Sequence, residues 1–197
     1  NGRSYLVVGS PIFDEPIPSN GEEVARRDGA LSFIYLTKRV FPNLEVITQI
    51  QETLDHLGIK FHLIVKPHPT DTESDYQNVL SLLPRDQVTY VGAEEVESVD
   101  RWIAESDVVI TGPSNVIWSA LRQRKPVIYL NFTDVGDGRY PQAYGRYVPV
   151  PFVTAWAVSE VGQALRRILQ ETDGGKAPTV DPAKFQGASA SFMRPAL

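Results

Sequence analysis

Apolar residues gather along this chain in short runs: Tyr5 to Val8, Phe61 to Val65, Val88 to Val91, Asp107 to Thr111, Pro126 to Leu130 and Tyr147 to Val150. Each is rich in β-branched or aromatic residues and is bounded by Gly, Pro or polar positions. A strand with one face in water alternates between apolar and polar residues, whereas these runs stay apolar, so they predict six strands covered on both faces. Between them the spacing changes to steps of three and four. Val46, Ile50 and Leu54, flanked by Ile47 and Leu57, predict a helix ended by a left-handed cap at Gly58. Tyr76, Val79, Leu80 and Leu83 predict another, opened by Thr72 with Asp75 three residues on and closed by Pro84. Ser98 heads a short one through Val99, Trp102 and Ile103; Val116, Ala120 and Leu121 mark the next; Val161, Leu165, Ile168 and Leu169 mark the last, which stops near Gly174 and Gly175. The stretch Glu22 to Arg39 is expected to be helical as well, against Gly29 and the strand-like SFIY inside it.

Strands alternating with helices in units of about 30 residues give βαβ crossovers. The expected architecture is α/β: a doubly wound, mostly parallel six-stranded sheet with helices on both faces. Residues 1–175 form this domain, and residues 176–197, rich in Ala, Ser, Pro and Gly, form a tail or docking segment.

Composition narrows the function. The 197 residues, 42% hydrophobic, suffice for one packed domain. Lys and Arg number 19 against 24 Asp and Glu, a formal net charge of −5 with no basic cluster, which argues against nucleic acid as a partner. With no cysteine, disulfides, thiolate nucleophiles and Cys-ligated metals are excluded. No apolar run approaches the roughly 20 residues of a spanning helix, so no membrane span is expected. The sequence starts at Asn1 rather than Met, and a preceding domain is expected.

In open parallel sheets, ligands bind beyond the carboxyl ends of the strands. One such end reads Lys66-Pro67-His68-Pro69. Proline fixes its own φ and restricts the residue before it, so His68 is displayed in a narrow range of conformations. An imidazole donor beside the Lys66 ammonium suits a phosphate oxyanion or a departing phosphate; a proline turn with a solvent-facing histidine is the plainer alternative. A second end reads Thr111-Gly112-Pro113-Ser114-Asn115, a strand passing into a helix start. Free N–H groups there, with Ser114 and Asn115 side chains, make an anion site, or else these residues simply cap the helix.

A third end opens the loop Asn131 to Tyr147, NFTDVGDGRYPQAYGRY, with Asp134, Asp137, Arg139 and Tyr144. Its length favours an active-site or acceptor loop. Asp134 and Asp137 lack paired spacing and a nearby histidine, so no metal is expected. Val8-Gly9-Ser10-Pro11 adds a fourth turn, with Ser10 on the nucleoside or acceptor side. Neither GxGxxG nor a P-loop occurs, which weakens dinucleotide and kinase readings.

KPHP followed some way on by SDVVITGPSNVIWSALRQRKPVIYL resembles the C-terminal nucleotide-binding half of GT-B glycosyltransferases, nearest to the CDP-glycerol glycerophosphotransferase and capsule-polysaccharide transferase type. The resemblance covers about residues 60 to 150. It implies a Rossmann-like sheet and places Lys66, His68, Gly112, Ser114 and Asn115 at the donor diphosphate, with His68 as the catalytic group stabilising the departing phosphate. Ser119 stands where the type carries an acid against the donor ribose. The type also carries a basic residue after its first strand, where SPIFDEP, following Tyr5 to Val8, offers Asp14 and Glu15.

The resemblance implies a metal-independent glycosyl- or glycerophospho-transferase domain for surface polysaccharide synthesis. It would use no cofactor, taking a nucleotide-sugar or CDP-alcohol donor as substrate. Its acceptor and any general base would come from an N-terminal domain outside this chain, and its setting would be cytoplasmic, reaching the membrane face through segments outside the chain. A sugar-nucleotide epimerase of the same architecture, and a degenerate domain that binds a nucleotide or partner without chemistry, are the alternatives.

Overall fold

The computed structural model describes residues 29–69, 71, 76, 80–81, 84, 86–92, 99–132 and 152–170. Six strands, β1 Leu31–Leu36, β2 Phe61–Lys66, β3 Val88–Tyr90, β4 Val108–Thr111, β5 Val127–Leu130 and β6 Phe152–Ala155, form one sheet in the order β3-β2-β1-β4-β5-β6. Every pairing is parallel. The helices are α1 Asn43–His56, α2 Val99–Ala104, α3 Val116–Arg122 and α4 Val161–Gln170.

The apolar runs are unbroken because the four central strands, β2, β1, β4 and β5, feed two cores. Phe33, Tyr35, Leu63, Val65, Ile110, Ile128 and Leu130 point to the face covered by α1 and α4. Ile34, Leu36, Ile64, Val109, Val127 and Tyr129 point to the face covered by α2 and α3. Val46, Ile47, Ile50 and Leu54 bury the inner stripe of α1 at the three- and four-residue spacing seen in the sequence. Gly162 brings α4 close to α1, since a Cβ there would lie 2.5 Å from the Thr53 hydroxyl.

α1 ends as its sequence predicts. Gly58 takes φ +64°, its N–H meets Asp55 O at 3.0 Å, and Ile59 N–H meets Leu54 O at 3.0 Å. These two bonds make a Schellman cap. α3 closes the same way, with Arg124 N–H to Leu121 O at 2.9 Å and Lys125 N–H to Ala120 O at 2.9 Å, but Arg124 rather than glycine occupies the left-handed position at φ +58°.

One expectation is overturned. The stretch Glu22 to Arg39 contains not a helix at its end but β1, the strand from which the sheet winds both ways. Four of its six residues, Phe33 to Leu36, are buried, with Phe33 and Tyr35 on one face and Ile34 and Leu36 on the other, and aromatic and β-branched residues suit that setting better than a helix. β6 at Phe152–Ala155 is a further strand beyond those expected. The strands expected at Tyr5 to Val8 and Tyr147 to Val150, most of the helix at Tyr76 to Leu83, and the tail 176–197 lie outside the described residues.

Candidate functional site

The sheet reverses its winding between β1 and β4, the neighbouring pair from which the chain proceeds in opposite directions. Leu36 of β1 is level with Lys66 of β2 and Thr111 of β4, and Thr111 is level with Tyr129 of β5. The next residues of all these strands therefore form one rim, at the place where doubly wound sheets hold ligands. A cleft of about 370 Å³ opens there. It is lined by Lys38, Arg39, Val40 and Phe41 after β1, His68 and Asp71 after β2, Pro113 after β4, and Leu130, Asn131 and Phe132 at the end of β5.

The β1 turn is built by its own hydrogen bonds. Phe41 N–H donates to Lys38 O at 2.9 Å, and Asn43 Nδ2 donates to the same carbonyl at 2.9 Å. Asn43 is held in turn by the buried Tyr35 hydroxyl, which donates to its Oδ1 at 2.6 Å. Phe41 packs against Phe132 with ring centroids 5.0 Å apart, giving the cleft an apolar wall. Gly112 is the floor of that packing: a Cβ there would stand 2.5 Å from the Phe41 ring and 3.3 Å from Lys38 Cδ. Its role in the fold is to let β4 pass beneath the β1 turn.

The charges are uneven in depth. Arg39 and His68 are exposed at the mouth, Lys38 is partly buried, and Asp71 is 4% exposed. Burial lowers the Lys38 ammonium below the usual lysine value, and the Asp71 carboxylate acts against that shift. Asp71 Oδ2 accepts from the Tyr76 hydroxyl at 2.6 Å, and the same hydroxyl lies 2.6 Å from Thr37 Oγ1. Burial first, then the bond to Asp71, pushes the Tyr76 hydroxyl well above its ordinary value. Among the described residues, no group of three or more His, Asp or Glu stands close enough to hold a metal.

The sequence-expected site residues divide on this geometry. His68 and Asn131 line the cleft. Gly112 lies directly under its Phe41 wall. Lys66, though next to His68 in the motif, sends its ammonium to Gly92 O at 3.4 Å, toward β3. Ser114 contributes its neighbour Pro113 rather than itself to the lining. Its Oγ meets Val116 N–H at 3.4 Å, while Ile117 and Trp118 N–H groups bond to Ser114 O at 3.2 Å and Asn115 O at 3.0 Å. The first helical N–H groups are thus met by local turn bonds, without a side-chain cap at the helix start. Asn115 is exposed and its side chain makes no capping bond. Ser119 is partly buried within α3 and is not in the lining. Ser10, Asp134, Asp137, Arg139 and Tyr144 lie outside the described residues.

Lys38, Arg39 and Asp71 are the cleft residues that sequence reasoning missed. Lys38 and Arg39 directly follow the apolar run LSFIYLT at the end of β1, whereas the resemblance puts the expected base after Tyr5 to Val8. That run, bounded by Gly29 and a basic pair, carried the signal.

No protein-family model matches the sequence, and no curated protein matches it. Among solved structures, the chain is similar to Methanocaldococcus jannaschii UDP-GlcNAc 2-epimerase in complex with UDP-GlcNAc and UDP, at 14% identity and a TM-score of 0.58, over 94% of this chain and 52% of that one. It is similar to S. aureus MnaA with UDP, at 13% identity and 0.58, over 92% and 49%. It is also similar to E. coli ADP-heptose lps heptosyltransferase II, at 11% identity and 0.53, over 74% and 48%. At such identities the likeness is one of fold, and the fold is the GT-B type that the KPHP and GPSN segments resemble. The chain spans about half the length of the structures it matches, so it corresponds to one Rossmann-like half.

Proposed function

We propose that this chain is the donor-binding domain of a metal-independent glycosyl- or glycerophospho-transferase, taking a nucleotide-activated donor in surface polysaccharide synthesis. The observation that carries the reading is the cleft at the switch point between β1 and β4, with Lys38, Arg39 and His68 directed to one apolar-walled space. The fold supports it, since the M. jannaschii and S. aureus structures named above were determined with UDP or UDP-GlcNAc.

In this reading Lys38 and Arg39 hold the phosphate oxygens of the donor. His68, at the mouth, donates to the oxygen that gains charge as the bond to the transferred group breaks, which stabilises the leaving nucleotide more than the intact donor. The partly buried Lys38 serves a phosphate well, because charge interactions strengthen where water is thin. The other half of the protein supplies the acceptor and the general base. This chain by itself binds donor and turns over nothing.

A ligand screen of the full chain by thermal shift and ligand-observed NMR, against CDP, UDP, GDP and ADP and their sugars or alcohols, tests the reading. A ligand at 100 times its Kd adds about 2.7 kcal/mol of stability, a plainly visible shift. No response to any member overturns it. The epimerase reading gains one specific feature, a buried carboxylate, Asp71, in the cleft. Product analysis of the whole protein with the bound donor separates the two, transfer against inversion at a sugar carbon.

A further inference from the structure

Two buried polar atoms of the cleft have no hydrogen-bond partner among the described residues: Asp71 Oδ1 and Asn131 Nδ2. Their residues are 4% and 3% exposed. Unmet buried groups cost stability, and at a ligand site they mark what the ligand must supply.

Asp71 is held firmly in this state. Its N–H donates to His68 O at 2.8 Å, and its Oδ2 accepts from Tyr76 at 2.6 Å. The Tyr76 hydroxyl has one hydrogen and gives it to Asp71, so in the 2.6 Å contact between Tyr76 and Thr37 the Thr37 hydroxyl is the donor. The chain Thr37 to Tyr76 to Asp71 thus runs one way. It fixes the carboxylate and leaves Oδ1 as an acceptor among donors, since Lys38, Arg39 and Asn131 Nδ2 offer only N–H groups to the same cleft. A bare oxyanion meets those donors but also faces a carboxylate that it cannot satisfy. A phosphate ester carrying a hydroxyl satisfies both.

We infer that Asp71 is a specificity residue of this cleft: its Oδ1 accepts a hydrogen from a hydroxyl of the phosphate-bearing ligand, so the site takes hydroxylated phosphate esters and rejects pyrophosphate. The inference rests on the nucleotide-donor reading of the cleft and adds to it the group that the donor must present.

The test is calorimetric titration of the full chain with inorganic pyrophosphate, with whichever of CDP, UDP, GDP and ADP binds best, with the 2′,3′-dideoxy form of that nucleotide, and with its sugar or alcohol ester. The parent binds the best hydroxylated ligand at least about tenfold more tightly than pyrophosphate. Asp71→Asn still accepts from Tyr76 but loses the charge and gains an N–H donor, so pyrophosphate tightens, the hydroxylated ligand weakens, and the ratio falls by about tenfold or more. Tyr76→Phe keeps the charged acceptor but releases the bond that fixes it, so the preference narrows by less than in Asp71→Asn, and the dideoxy and ester comparison on the parent provides an answer where Asp71→Asn fails to fold. Weakening with the dideoxy form assigns the hydroxyl to ribose, and tightening with the ester assigns it to the transferred group; either is the contact inferred. An unchanged ratio in Asp71→Asn, a preference that falls further in Tyr76→Phe than in Asp71→Asn, or equal binding of all four ligands by the parent overturns the Asp71 assignment while leaving the nucleotide site standing. Binding of none of them by the parent overturns both.

Discussion

Gly112 lies beneath the ring of Phe41 so closely that a single added methyl would stand 2.5 Å from it. The two residues lie just after β4 and in the turn after β1, the strands between which the sheet reverses. Their contact sets how near Lys38 comes to the strand ends, since Lys38 Cδ is 3.3 Å from the same point. Gly112→Ala therefore displaces the Phe41 ring and the turn that carries the cleft's bases. The expected cost is about 1–3 kcal/mol by urea denaturation, the range for overpacking a filled site, with weaker nucleotide binding in whatever fraction stays folded.

The buried link from Thr37 through Tyr76 to Asp71 supports the cleft from behind. Tyr76→Phe removes the shared hydroxyl and is expected to cost about 1–3 kcal/mol. Because the three groups act together, Thr37→Val combined with Tyr76→Phe costs less than the sum of the single changes. A double-mutant cycle by denaturant unfolding checks this; strict additivity contradicts a single connected chain.

The buried hydroxyls also give a pH dependence of known sign. Tyr76 and Tyr35 are both held above the ordinary tyrosine value of about 10, chiefly by burial. The folded state therefore keeps these protons when the unfolded chain has lost them. Their contribution is complete below about pH 10 and is lost progressively as pH rises beyond that toward the raised folded values. Stability of the parent falls on alkaline titration more steeply than that of Tyr76→Phe, and parallel curves for the two proteins contradict the account.

The turn after α3 stores a small strain. Arg124 occupies a left-handed conformation at φ +58° in a position where α1 uses Gly58. Left-handed backbone costs a residue with a Cβ about 1–2 kcal/mol, part of which glycine's greater freedom in the unfolded chain takes back. Arg124→Gly is expected to raise stability by roughly 0.5–1 kcal/mol. Gly58→Ala is expected to lower it by about 1 kcal/mol. Thermal unfolding of the two variants checks the pair, which should move in opposite directions.

Much of this fold was legible because burial on both faces leaves a plain mark. The runs at Phe61, Val88, Val108 and Val127 needed no partner information to read as strands, and the 46, 50, 54 spacing with Gly58 behind it gave α1 and its cap. β1 was harder, since its strand-like run lies inside a longer stretch, Glu22 to Arg39, expected to be helical, and its pairing with β2 and β4 makes it a strand. Missing β1 hid the site's principal bases. His68 was found from its prolines alone, a local signal. Asp71 was not, because its importance comes from Tyr76 and Thr37, residues joined to it in space and not by any motif. The GPSN segment showed the reverse problem: its residues suit an anion site and a helix cap equally well, and α3 starts on local turn bonds to Ser114 and Asn115 with no side-chain cap.

The central claim is that phosphate oxygens are received at the ends of β1 and β2. Chemical-shift mapping of the isotope-labelled full chain, titrated with the nucleoside diphosphates of the panel, tests it most directly. The account predicts the largest saturable shifts at Lys38 to Phe41, His68, Asp71 and Asn131, with at least about tenfold weaker binding in Lys38→Ala. Shifts centred on the opposite edge of the sheet, or an affinity untouched by Lys38→Ala, would contradict it.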